Sequence, residues 1–104
     1  MVIQWTPQAV KNLKDIYQFY LPETGRTKAL AIVAELRAVV KYLLIFPEMG
    51  AIEYIEGKPT AYRYLVKNHC KIYYTVQATY VRIAFVWDTR RNPRLLRHYF
   101  EIRK

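Results

Sequence analysis

Apolar positions recur every three or four residues over the first half of the chain, a spacing that predicts two helices after a short strand. Val2–Trp5 is short and β-prone, and Thr6-Pro7 has the form of an N-cap followed by proline in the first helical turn. We therefore predict a first strand at 2–5 and a first helix over 7–20. The apolar face of this helix consists of Val10, Leu13, Tyr17 and Leu21.

The second helix is predicted to follow a turn at Pro22-Glu23-Thr24-Gly25 and to run over 26–45. So short a connection makes the two helices an antiparallel hairpin. Residues 51–60 contain Gly57 and Pro59 and are interpreted as a loop. The stripe of the second helix that should face the protein interior consists of Leu30, Val33, Leu36, Val40, Leu43 and Leu44.

The second half of the chain contains three β-rich stretches, 61–67, 70–77 and 80–88, whose short connections predict an antiparallel meander. Alternation in the middle stretch separates Lys71, Tyr73 and Thr75 from Cys70, Ile72, Tyr74 and Val76. Alternation in the last stretch separates Arg82, Ala84, Val86 and Asp88 from Val81, Ile83, Phe85 and Trp87. Asn92-Pro93 then resembles a helix start, which predicts a short basic helix from Pro93 to Glu101.

This order of elements, β-α-α-β-β-β with a C-terminal helix, indicates an α+β fold in which an antiparallel helix hairpin packs on one face of a mostly antiparallel sheet. A length of 104 residues is typical of one domain, so residues 1–104 are expected to form a single unit. No apolar run approaches the roughly 18 residues that a membrane span requires. No signal peptide is visible either, so we expect a cytoplasmic protein that does not bind a membrane.

The charge of the chain is strongly positive and unevenly distributed. The formal net charge is +9, and residues 51–104 carry 11 basic and 4 acidic groups, against 6 and 4 in residues 1–50. Such an excess attracts polyanions such as nucleic acid, although an acidic protein partner or a solubilising face would also account for it. One cysteine and two histidines, far apart in the sequence, give no metal-ligand spacing, so neither a metal nor another cofactor is expected.

Four segments carry a resemblance to a known family: 46–50 (FPEMG), 61–66 (AYRYLV), 70–76 (CKIYYTV) and 85–93 (FVWDTRRNP). In their order and spacing, which cover nearly the whole chain, they are similar to the RelE/ParE superfamily of bacterial type II toxins. The resemblance implies a toxin that is neutralised by a cognate antitoxin protein. Two activities are known in that superfamily: RelE-like members cleave messenger RNA on the ribosome, and ParE-like members poison DNA gyrase.

Cleavage of the RelE type would need a cluster of basic and tyrosine side chains rather than a metal. The ribose 2′-OH attacks the adjacent phosphate, so the site must move protons and stabilise a charged phosphorane. The resemblance carries the catalytic roles over to Arg63, Lys71, Arg91 and Tyr99, and further nucleic-acid contacts are expected from Lys67, Arg90, Arg94 and Arg97. If Arg63 and Lys71 project to the same surface, opposite the helices, they can bind one phosphate.

Several nearby residues have simpler structural interpretations. His69 is expected in an exposed turn, Cys70 in the core, and Asp88 beside Arg90 or its turn, while Glu48 matches a catalytic glutamate of some relatives but also suits a solvated or capping role. Leu65 replaces a lysine of the RelE pattern. The leading interpretation is therefore a ribosome-dependent, metal-independent endoribonuclease that inhibits translation, and the alternative is a ParE-like inhibitor of DNA gyrase without a catalytic site.

Overall fold

A computed structural model describes residues 1–90 and residue 100. The elements of this part of the chain are β1 (Val2–Trp5), α1 (Pro7–Thr24), α2 (Arg26–Val40), β2 (Ala51–Ile55), β3 (Lys58–Lys67), β4 (Cys70–Val76) and β5 (Tyr80–Asp88). The five strands form one sheet in the order β1-β5-β4-β3-β2. Strand β1 runs parallel to β5, and the other neighbours are antiparallel. The predicted α+β fold, with two consecutive helices packed on one sheet face, is confirmed.

The first helix begins where the sequence predicts but ends later. Thr6 caps it, because the Thr6 Oγ1 accepts a hydrogen bond of 3.0 Å from the Ala9 N–H. Helix α1 then continues through Pro22 to Thr24, so the prediction of an end at residue 20 and a turn from Pro22 is wrong. Proline so near the helix end removes only the bond from its own nitrogen to the carbonyl of Gln18, an exposed residue whose carbonyl can bond water instead.

The second helix is shorter than predicted. Helix α2 ends at Val40 and tightens into one 3₁₀ turn, Lys41–Leu44. Leu36, Val40 and Leu43 are buried as predicted, but Leu30 and Leu44 are 48% and 46% exposed. The Cβ of Ala29 rather than the side chain of Leu30 faces the interior. The described residues contain no helix that is long and apolar enough to cross a membrane.

The prediction of a loop over 51–60 is wrong, because these residues form most of a hairpin. Ile55 pairs with Lys58, and the two residues between them, Glu56 and Gly57, have φ angles of 52° and 79°. Two consecutive positive φ angles make a type I′ turn, which suits the twist of a hairpin. The meander of β3, β4 and β5 is confirmed, and Asn68-His69 forms a similar turn between β3 and β4.

Beyond the end of β1, the backbone of β5 forms hydrogen bonds with Thr6 and with helix α1. The Thr6 N–H donates to the Ile83 carbonyl at 3.1 Å, and the Thr6 hydroxyl donates to the Ala84 carbonyl at 2.7 Å. The buried Asn12 Oδ1 then accepts the N–H of Val86 at 3.0 Å. The side chains of Thr6 and Asn12 therefore bond to backbone groups of β5 that would otherwise be buried without a hydrogen-bond partner.

Strand β5 contains a bulge that changes the faces of its last residues. Tyr73 pairs with Phe85 but Tyr74 pairs with Ile83, so Ala84 is the extra residue. Val81, Ile83 and Val86 therefore pack with the helices, whereas Phe85 and Trp87 point to the other face. The prediction of unbroken alternation through β5 is wrong beyond Ile83. The alternation predicted for β4 holds, since Ile72 and Tyr74 join the helix-side core and Tyr73 does not.

The sheet face opposite the helices carries a layer of aromatic side chains, hereafter the aromatic layer. Tyr73 stacks on Phe85 with ring centroids 4.7 Å apart, and Phe100 meets the Tyr73 ring edge-on at 5.1 Å. Tyr62, Tyr64 and Trp87 complete the layer. This face is thus a second core rather than an open basic surface. Apart from Phe100, the predicted helix from Pro93 to Glu101 lies outside the described residues.

Candidate functional site

Arg63 lies on the helix side of β3, where it binds the backbone of the segment before β2. It pairs with Tyr74 across the ladder, so both side chains point to the helix-side face. The Arg63 Nη1 donates to the carbonyl oxygens of Gly50, at 2.9 Å, and Glu48, at 3.2 Å. Its guanidinium therefore fixes the chain at 48–50, which is a positioning role.

Tyr74 binds the same segment from within the helix-side core. The Gly50 N–H donates to the Tyr74 hydroxyl at 2.9 Å, and this hydroxyl donates to the Pro47 carbonyl at 2.8 Å. Burial raises the pKa of Tyr74, although the Gly50 N–H and the charge of Arg63 oppose the shift. The tyrosine therefore stays protonated at neutral pH and can keep donating to Pro47.

The segment that these two residues hold exposes large apolar side chains to water. Ile45 is 69% exposed and Phe46 is 61% exposed, and Met49 is also exposed. We call residues 45–50 the apolar turn. Its backbone is held by four side-chain hydrogen bonds, from or to Arg63 and Tyr74. A fixed and exposed apolar group of this kind is typical of a protein-binding surface.

Lys71 lies on the opposite face from Arg63. It pairs with Val66 across the ladder and points into the aromatic layer, where its Nζ lies 4.4 Å from the centroid of the Tyr64 ring. The condition for binding one phosphate, that Arg63 and Lys71 project to the same surface, is therefore not met. Tyr74, the partner of Arg63, is three residues from Lys71 on the same strand, and an odd separation places two side chains on opposite faces.

The charge of Glu53 on β2 interacts with that of Lys71, a contact that the predicted loop over 51–60 does not anticipate. Burial raises the pKa of the Glu53 carboxyl, and the charge of Lys71 opposes this shift. The neighbouring Tyr73 is fully buried, and its hydroxyl has no hydrogen-bond partner among the described residues. Burial also raises the pKa of Tyr73, with further increases from Glu53 and Tyr64. A buried tyrosine of raised pKa does not supply a base at neutral pH.

Arg90 is tied to the end of β5 and to α1. Its Nε and Nη2 donate to the two carboxylate oxygens of Asp88 at 3.1 and 2.9 Å, and its backbone N–H donates to Asp88 at 2.9 Å. Nη2 also donates to the Tyr20 hydroxyl, and the guanidinium lies 5.2 Å from the Phe19 ring centroid. The expectation that Asp88 holds Arg90 in place is confirmed. Lys67 is exposed at the end of β3.

The ion pair with Arg90 and burial in the core change the pKa values of Asp88 and Cys70. Burial acts to raise the pKa of Asp88, but the hydrogen bonds and charge of Arg90 outweigh it and hold the pKa below its ordinary value. Cys70 is buried as expected, and burial together with Asp88 raises its pKa to about 12. His69 is exposed in its turn. Arg91, Arg94, Arg97 and Tyr99, the remaining predicted site residues, lie outside the described residues.

Comparisons with known proteins agree on one family. The family model described as "ParE toxin of type II toxin-antitoxin system, parDE" matches residues 3–93. A solved structure, "Chromosomal ParDE TA system from P. aeruginosa", superposes with a TM-score of 0.71 at 26% sequence identity, covering 83% of this chain and 92% of that chain. None of the curated proteins matches the chain.

Proposed function

Since the chain belongs to the ParE toxin family of type II toxin–antitoxin systems, we propose that it inhibits DNA gyrase by binding it. Membership of this family implies a cognate antitoxin as partner. The name of the solved ParDE relative supports the gyrase alternative over cleavage of messenger RNA. On this proposal the toxin needs no catalytic residues of its own, and its activity depends on a surface that is complementary to its target.

The separation of Arg63 from Lys71 is the observation that carries the proposal. A RelE-type site would need both side chains on one phosphate, but the sheet lies between them. Arg63 is bound to two backbone carbonyls, and Lys71 lies over the Tyr64 ring. The face that would hold the scissile phosphate is filled by the aromatic layer. These contacts favour a binding protein over a nuclease.

The apolar turn is the surface that we assign to the target. Ile45 and Phe46 expose most of their surface while the backbone beneath them is fixed, so little conformational entropy would be lost on binding. Exposed anchors on a preorganised turn are typical of the few residues that dominate the free energy of a protein interface. Arg63 and Tyr74 contribute indirectly, because they hold the turn in its binding conformation.

Supercoiling assays with purified gyrase test the proposal. The protein should inhibit supercoiling, and Phe46→Ala should weaken the inhibition at least about tenfold, because truncating an interface anchor costs about 2 kcal/mol or more. Leu30→Ala is the matched control: Leu30 is similarly exposed but lies on α2, and its truncation should leave inhibition unchanged.

Primer extension on a ribosome-bound message tests the alternative function, which is cleavage of messenger RNA. The proposal expects no toxin-dependent cleavage of the message in the same preparation that inhibits gyrase. Cleavage of the message together with unimpaired supercoiling would overturn the proposal and restore the endoribonuclease. In cells, induction should trigger the DNA damage response and filamentation before translation stops.

A further inference from the structure

The groove beside β1 has the features of a site for an extended peptide, and it lies at the edge of the sheet opposite to β2. Strand β1 is the last strand of the sheet, so within the described part of the chain one of its edges has no strand beside it. An unpaired edge presents backbone N–H and C=O groups that can pair with an added strand. The groove holds about 450 Å³, within the roughly 300–1,000 Å³ of typical binding clefts.

The lining of this groove combines apolar side chains with two basic ones. Its side chains are those of Met1, Val2, Ile3, Trp5, Arg37, Val40, Lys41 and Leu44. Val2 and Leu44 are well exposed, so apolar area remains to be covered. The two charged residues of the lining are both basic. A ligand that fills the groove must therefore combine apolar and acidic groups.

The two basic residues have a spacing that suits a strand. Arg37 and Lys41 are one helical turn apart, about 6 Å along the axis. Residues i and i+2 of a strand point to one side and are about 6.6 Å apart, so two acidic side chains at alternate positions can reach both. Arg37 is preorganised, because its guanidinium carbon lies 5.3 Å from the centroid of the Trp5 ring.

We propose that this groove binds an extended segment in which apolar and acidic residues alternate, added as a sixth strand beside β1. The segment belongs to the antitoxin, an identification that rests on the toxin–antitoxin membership behind the proposed function. Its backbone pairs with the free edge of β1, its carboxylates point to the helix side and meet Arg37 and Lys41, and its apolar side chains lie on the other face and cover Val2. The antitoxin site adjoins the apolar turn assigned to gyrase, because Leu44 precedes Ile45, but the lining of the groove includes no residue of that turn.

Charge disfavours a second copy of this chain as the occupant. Two β1 strands paired edge to edge would bring two copies of Arg37 and Lys41 to one interface, in a protein whose net charge is already +9. Like charges placed together in this way oppose association. Nucleic acid is disfavoured because six of the eight lining residues are apolar and offer its phosphates no charged partner.

Amide chemical shifts of the isotope-labelled full chain test the proposal, with a short synthetic peptide of alternating valine and glutamate as the probe. The peptide should shift the amides of β1 and Leu44, and a valine–lysine peptide should not. Lys41→Glu and Leu44→Glu should each weaken binding about threefold to tenfold, because each places a negative charge beside the carboxylates of the peptide. The matched controls are Lys28→Glu and Leu30→Glu, exposed positions of α2 outside the groove, which should bind as the parent does.

Three results would overturn the proposal. The first is no shift in β1 at millimolar peptide, and the second is an equal loss of binding in Leu44→Glu and Leu30→Glu. The third is a shift of β1 amides with protein concentration in the absence of peptide, which would identify a second copy as the occupant. Gyrase is absent from this assay, so peptide binding without inhibition of supercoiling would count against the proposed function alone.

Discussion

The hydroxyl of Tyr74 contacts the backbone of Gly50 so closely that no side chain fits at residue 50. A Cβ there would lie 2.6 Å from the Tyr74 Oη and 2.8 Å from the Tyr64 carbonyl. The Tyr74 hydroxyl accepts a hydrogen bond from the Gly50 N–H and donates one to the Pro47 carbonyl. Glycine at 50 and tyrosine at 74 therefore depend on each other, and together they determine the conformation of the apolar turn.

Replacing Tyr74 by phenylalanine tests this dependence. The change keeps the ring but leaves the buried Gly50 N–H and the Pro47 carbonyl without their partner, so the free energy of unfolding should fall by about 1–3 kcal/mol. Urea unfolding followed by circular dichroism measures it. Tyr54→Phe is the control, since the Tyr54 side chain is exposed, and its stability should stay within about 0.5 kcal/mol of the parent. Equal effects of the two changes would contradict the role of the Tyr74 hydroxyl.

Arg63 and Lys71 should behave differently when each is replaced by alanine. Arg63→Ala removes two bonds to the backbone of the apolar turn, so inhibition of gyrase and of growth should fall several-fold. Lys71→Ala changes the other face and should retain toxicity. Growth after induction and supercoiling in vitro measure both variants. If Arg63 and Lys71 instead bound one phosphate, both variants would lose toxicity and message cleavage, and this outcome would contradict the prediction.

The Asp88–Arg90 pair should make stability depend on acid pH. Because the folded-state pKa of Asp88 is lowered, the ionised carboxylate contributes stability above its unfolded pKa, and this contribution is lost as pH falls through the folded pKa. Urea midpoints measured from neutral to strongly acid pH should therefore fall less in Arg90→Ala than in the parent. Arg82→Ala serves as the control, and it should keep the parental acid dependence. Parallel curves for the parent and Arg90→Ala would contradict the assignment.

The single cysteine reports on opening of the core. Cys70 is buried, and its pKa of about 12 leaves almost no thiolate at neutral pH. Iodoacetamide should therefore modify the folded protein slowly, at a rate that rises in urea in step with the unfolded fraction. Mass spectrometry over time measures the reaction. Rapid labelling of the native protein, with no change in urea, would mean that Cys70 is accessible in the folded state.

Much of the fold was predictable from local signals. Thr6-Pro7 indicates the start of α1, because helix capping depends on residues that are adjacent in the sequence. The alternation along β4 indicates its two faces, because other side chains cover both faces of this strand. The sequence does not predict the hairpin at 51–60, because Gly57 is as typical of a loop as of a tight strand turn that needs a positive φ. Pro22 indicates a helix end, but its position in the last turn costs only one hydrogen bond.

The candidate site was harder to predict because it depends on pairing between strands. The resemblance identified Arg63 and Lys71 as basic positions, but their faces follow from the register Arg63–Tyr74, which no single segment encodes. The ties that hold the apolar turn connect Arg63 and Tyr74 with residues far away in the sequence. Asp88 and Arg90 are neighbours on one strand end, and their ion pair was accordingly predicted.

The extra residue at Ala84 also determines where β5 can lose a residue. Deleting Ala84 would leave a regular ladder in which Tyr74 still pairs with Ile83 and Tyr73 with Phe85, so that Phe85 and Val86 would keep their faces. Deleting Val86 instead would turn the residues after it to the opposite face of the sheet. In related genes, a one-residue difference in the length of β5 should therefore fall at the bulge rather than between Val86 and Asp88.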